Sequence, residues 1–171
     1  MTFSELITRS DIIADRIQDI ASPALINEVF KNMLMDDIGN LARKDHLIVR
    51  LGNKWMEKNI GNRLKRGKFT SQIMRKVARL LLNFKKETNT DYCLSDYLKP
   101  CYFDEVAKST LVVAGRDAED AELLESPSNA IKLGHDLKRI ANIKIGLAIM
   151  AKDRKSEEKG QGFLRTKLAE N

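Results

Sequence analysis

A chain of 171 residues, 43% hydrophobic and 32% charged, suffices for one folded domain with or without an appendage. Three prolines and nine glycines are too few for a loop-rich all-β fold, and no apolar run approaches the roughly 18 residues of a membrane span. The net charge of +6 conceals a segregation: residues 43–86 hold 14 basic and 2 acidic side chains, while residues 87–131 hold 3 basic and 10 acidic ones. Such a pattern sets up a local field that the mean charge does not report.

The apolar spacing predicts an all-α domain of about seven helices. An N-terminal extension (1–22) precedes a helical body (23–153) and a charged helical tail (154–171). Residues 3–20 carry a moderate stripe of Leu6, Ile13, Ile17 and Ile20. Ser22-Pro23 reads as an N-cap with proline at the first helical position. The face behind it is Leu25, Ile26, Val29, Phe30, Met33 and Leu34. Asp36 and Asp37 open a short helix to Arg43, where the macrodipole favours acids. Asp45 caps the next helix, 46–59, with Leu47, Ile48, Leu51, Trp55 and Met56 inward and Trp55 read as a core anchor.

A hinge with four cations between Gly61 and Lys68 leads into a central helix, 69–87, capped by Thr70 or Ser71. Ile73, Val77, Leu80, Leu81 and Phe84 lie on one 3.6-residue face there. Leu94–Leu98 forms a short helical turn. Another helix runs from Glu105 to about Gly115 with Val106, Leu111, Val112 and Val113 apolar. An acidic, partly irregular stretch to Glu125 follows. Ser126 and Pro127 restart the chain as a long helix to about Lys152. Its stripe is Ala130, Leu133, Leu137, Ile140, Ala141, the Lys144 stem, Leu147 and Ala148. The tail has only Phe163, Leu164 and Leu168 to bury and reads as a frayed or solvent-exposed helix.

Most chemistry-bearing patterns fail on spacing. Gly61, Gly67 and Lys68 come near a phosphate loop, but the spacing is one residue long, no Ser/Thr follows and no apolar strand precedes. Cys93 and Cys101 lie far from His46 and His135, so neither a zinc set nor a cysteine–histidine nucleophile is read, and no cofactor is called. An intracellular setting favours reduced thiols. The surviving constellation is basic: Lys54, Lys58, Arg63, Lys65, Arg66, Lys68, Arg75, Lys76 and Arg79. Cations on a helix face and a hinge suit phosphate contacts of low sequence specificity. The rival is that the acidic segments fold over the basic one and neutralise it.

Four stretches together resemble a known family. They are Met35–Asp45 with Leu47, Ile48 and Gly52; Met74–Leu82; Leu94–Pro100 with Phe103–Val106; and Ser126–Lys138. Over roughly residues 25–165 their order and spacing are similar to the region before the recombinase core in tyrosine-recombinase-like proteins of animal genomes, relatives of Crypton-type DNA transposons. The resemblance implies a helical core-binding domain, of SAM-like type, that closes over DNA in the nucleus. It also marks a departure. The family's catalytic arginines, its H-x-x-R histidine and its nucleophilic tyrosine lie in a downstream core. Here His135 is followed by Lys138, and Tyr92, Tyr97 and Tyr102 precede the core position. The expectation is therefore a non-catalytic DNA-binding or DNA-associated module. A protein–protein interaction module and a truncated, non-functional remnant are the alternatives.

Overall fold

The structure is a computed structural model, and it describes residues 2–14, 17–116 and 127–169. Every regular element among the described residues is a helix. Two compact units make up the chain, Met1–Ala78 and Arg79–Asn171.

In the first unit, α1 (Phe3–Ile13) opens on a capping box in which the Thr2 hydroxyl accepts from the Glu5 amide and the Glu5 carboxylate accepts from the Thr2 amide. The helix expected to reach Ile20 stops at Ile13, and positions 15–16 lie outside the described residues. Beyond it the chain is tied to distant backbone instead: the Gln18 amide bonds the Arg43 carbonyl and buried Ile17 enters the core. α2 (Pro23–Leu25) begins as the sequence predicts, with the Ser22 hydroxyl 3.1 Å from the Leu25 amide and Pro23 first in the helix. It continues as a π-helical segment, Ile26–Phe30, closed by the Lys31 amide on the Ile26 carbonyl. The wider turn rotates the following side chains relative to an α-helix. Leu25, Val29, Phe30 and Met33 are buried, while Leu34, expected on the same face, is exposed.

α3 (Asp37–Lys44) is capped by Asp36 at 2.7 Å from the Gly39 amide. α4 (His46–Lys58) is capped by Asp45, whose Oδ1 accepts from Leu47 and Ile48. Its buried side chains Leu47, Ile48, Val49, Leu51 and Met56 form the core, against which α2 and α3 pack. Full burial of each such side chain contributes about 1.5–3 kcal/mol. Arg43 is buried with them, and its Nη2 donates to the carbonyls of Phe30 (2.9 Å) and Met33 (2.6 Å) where the π segment ends.

α5 (Arg66–Thr88) starts three residues before the predicted position. Thr70 is therefore interior and buried, with its hydroxyl on the Met56 sulfur, and it caps nothing. The buried face is Met74, Val77, Leu80, Leu81 and Phe84, with Ile73 only half-buried. Asn89 takes a left-handed φ of 49° and the Thr90 amide reaches back to the Lys85 carbonyl, a Schellman-type end.

The second unit continues with α6 (Leu94–Tyr97), a 3-10 turn at Pro100–Tyr102, α7 (Phe103–Arg116), α8 (Pro127–Met150) and α9 (Arg154–Ala169). The run 111–114, strand-like by composition, is helical. Two of its apolar residues, Leu111 and Val112, face solvent, while Ser109 and Thr110 are buried. Their hydroxyls bond the Glu87 carboxylate and the Val106 carbonyl, which satisfies them inside. The α8 stripe is buried at Leu133, Leu137, Ile140, Ala141, Lys144 and Ala148. α9 is no loose tail, since it packs on α8 and on the 3-10 turn, with Phe163 buried edge-on against Phe103 at 5.5 Å. The acidic stretch 117–125 and the expected Ser126 cap lie outside the described residues.

Candidate nucleic-acid interface

The turn between α4 and α5 is short and internally bonded. Asn59 ends α4 with its side-chain amide on the Trp55 carbonyl at 2.8 Å. The Asn62 amide then bonds the Asn59 carbonyl, and the amides of Lys65 and Arg66 both return to the Asn62 carbonyl. The expected flexible hinge is thus a set of tight turns running directly into a helix.

Arg66 holds this turn to the rest of the unit. It is buried, and its guanidinium meets the Glu28 carboxylate through two bonds, Nε at 2.6 Å and Nη2 at 2.7 Å. Paired bonds of this geometry are the strongest ion pairs proteins make. Arg66 holds the Glu28 carboxyl below its ordinary range, and Arg63 adds a weaker Coulombic push in the same direction. Gly67 completes the attachment, because a β-carbon there would sit 2.8 Å from the Glu28 carbonyl oxygen.

The nine predicted phosphate-facing residues therefore separate. Lys54, Lys58, Arg63, Lys65 and Lys68 are exposed along one short stretch. Lys54 and Lys58 are one turn apart on α4, and the Lys58 ammonium stands 5.3 Å over the Trp55 ring. Trp55 is only half-buried, so it is less a core anchor than expected. Two members are already paired with carboxylates. Arg66 is buried against Glu28, and Arg75 is bound to Asp36 through two bonds of 2.8 and 2.7 Å. The Arg75 guanidinium and the Gly39 amide hold the Asp36 carboxyl far below its usual range. Both arginines already hold carboxylates brought from other helices, which leaves them poorly placed for a phosphate. Lys76 is half-buried. Arg79 is half-buried, already engaged, and belongs to the second unit.

Sequence reasoning missed the apolar members of the turn. Ile60, Leu64 and Phe69 are 67%, 97% and 48% exposed among the cations. A break in helical period at 59–65 was the available signal, since apolar residues there have no face to join.

Elsewhere the polar groups serve packing. In the second unit Tyr97 stacks on Phe84 at 5.1 Å, with Tyr92 and Tyr102 beside it, and its hydroxyl meets Thr90 at 2.6 Å. Lys144 is buried past its stem: its ammonium donates to the carbonyls of Ser95 (2.8 Å) and Leu98 (3.0 Å), which ends α6. Burial pushes its pKa down to about 8, helped by Lys99 and Lys159. Among the described residues no three His, Cys, Asp or Glu side chains gather as a metal set, and no helix is long and apolar enough to cross a membrane. No protein-family model, curated protein or solved structure matches the chain.

Proposed function

We propose that the chain is a non-catalytic helical module that binds the phosphate backbone of duplex DNA through the α4–α5 turn. The observation that carries this reading is the exposure of Lys54, Lys58, Arg63, Lys65 and Lys68 around a turn bolted down by Arg66 and Glu28. Cations held on a stiff support lose less freedom on binding than cations on a loose loop. The positive end of the α5 dipole adds to the same field. The resemblance to the pre-core region of tyrosine-recombinase-like proteins supplies the choice of DNA and a nuclear setting. Five phosphate contacts give a slope of log affinity against log salt of roughly −4 to −5, nearly independent of duplex sequence. Titrating labelled duplexes of unrelated sequence at several salt concentrations measures both quantities. An absence of binding at low salt removes the reading.

A second reading has its own observation. α1 turns Phe3, Leu6, Ile7 and Ile13 to solvent, an apolar side that suits a protein partner. Replacing Phe3 and Ile7 by serine separates the two, because it weakens a protein contact and leaves the salt slope on DNA unchanged.

A further inference from the structure

The exposed apolar side chains of the α4–α5 turn call for an account of their own. Single exposed leucines are ordinary. Three large apolar groups within ten residues, at a turn ringed by five exposed cations, are not a random scatter. Leu64 is the extreme member, at 97% exposed. Its backbone is fixed on both sides: the turns at Asn62 close before it, and Arg66, two residues on, is clamped by Glu28. Gly67 lies so close to the Glu28 backbone that the segment has little room to settle inward. Leu64 is therefore presented outward by rigid parts.

We propose that Leu64 is a wedge that enters a base step of duplex DNA from the minor groove, with Ile60 and Phe69 against the groove walls and the surrounding lysines and Arg63 on the flanking phosphates. This rests on the DNA-binding reading and adds to it a site of insertion and a bent product. Minor-groove proteins insert Leu, Ile or Phe between base pairs and kink the duplex by roughly 20–90°. A wedge must be stiffly held to part stacked bases, and this one is. The neighbouring polar groups favour DNA over the other partner that an apolar tip ringed by cations fits, an anionic lipid surface. Asn62 is exposed beside Leu64, and insertion into acyl chains would bury its amide without a partner, at a cost. The floor of the minor groove instead offers the acceptors that an amide donor needs.

The full chain and two variants, Leu64→Ala and Leu64→Met, test this. Each is titrated against a short duplex carrying a donor and acceptor at its ends, and against the same duplex with 2-aminopurine at one step. Vesicles of phosphatidylserine and phosphatidylcholine form a third arm. The expected result is shortened end-to-end distance and brighter 2-aminopurine with the parent and with Leu64→Met. Leu64→Ala should lose both signals, with a salt slope changed by less than about half a unit. Leu64 is solvent-exposed, so the alanine variant keeps its fold. If the parent binds with a steep salt slope but leaves the duplex straight and stacked, the wedge is overturned and the DNA-binding reading stands. Vesicle binding that depends on Leu64, without binding to DNA, overturns both.

Discussion

Lys65 and Arg66 are neighbours in the chain with the same charge and different work. Lys65 is exposed, whereas Arg66 is buried on Glu28, a residue that sequence distance gives no reason to expect there. A cation's role depends on whether the fold brings a carboxylate to it, which no local pattern encodes. Arg66→Leu should therefore lower stability by about 1–3 kcal/mol through loss of paired charged bonds, and Lys65→Gln should stay within about 0.5 kcal/mol of the parent. Urea denaturation of both decides, and equal midpoints would mean that the Glu28 contact does not anchor the turn. Lys144 shows the same principle in its pH dependence. Its folded pKa, about 8, lies below the ordinary 10.5 because burial disfavours the charged form. Between those values the unfolded chain binds more protons, so this group's contribution to stability rises with pH across the window and is lost as pH falls through about 8. Lys144→Met should remove that rise. The check is the difference between the two proteins' denaturation midpoints at pH 7.5 and pH 10, roughly below the window and near its upper end.

Helices were legible where a short-range device defines them. Ser22, Asp36 and Asp45 each accept a bond from an amide two or three residues on, a pattern that adjacent residues fix by themselves. The face of α5 was legible at Val77, Leu80, Leu81 and Phe84. Its start was not, since Arg66, the first helical residue, is held by Glu28, a partner distant in sequence. The π segment at Ile26–Phe30 leaves no trace in spacing, and Leu34 is exposed because it lies in irregular backbone past the helix end. The tail read as solvent-exposed because α9 is highly charged and has few apolar residues, yet Phe163 and the close fit of Gly160 on Ile145 suffice to pack it. Two glycines test the packing. A β-carbon at Gly52 would fall 2.6 Å from the Met74 sulfur and 3.1 Å from a Leu25 methyl, whereas one at Gly146 meets nothing within 4 Å. Gly52→Ala should destabilise by about 1–3 kcal/mol. Gly146→Ala should stabilise by about 0.5–1 kcal/mol, since alanine loses less backbone freedom in a helix. Leu81→Ala and Leu137→Ala, both at buried positions, should each cost about 2–5 kcal/mol. Thermal or urea melts of the four variants rank them, and a Gly52→Ala protein as stable as its parent would contradict the α4–α5 contact.

For the whole molecule, the open question is whether an anion responds to the net charge or to its placement. The chain carries +6 in total, but exposed cations also occur in the second unit, at Lys132 and Lys138 on α8 and at Lys155 on α9. If DNA were held by diffuse attraction alone, any three cations would matter equally, because each change lowers the net charge by the same amount. If the turn is the site, only its own cations displace counterions from the duplex. Two triple variants make the comparison at equal net charge. Arg63→Gln with Lys65→Gln and Lys68→Gln should flatten the salt slope by about 2–3 units, one for each lost phosphate contact. Lys132→Gln with Lys138→Gln and Lys155→Gln should leave the slope within about half a unit of the parent. Both triples should retain parental stability, as exposed cations contribute little to it, and Arg66 is kept out of the first because its ion pair would confound the result. Equal flattening by the two would assign binding to the overall field and remove the turn as a site. A parent slope near zero would show that the basic stretch is neutralised within the fold, and the apolar face of α1 would then be the better place to look for a partner.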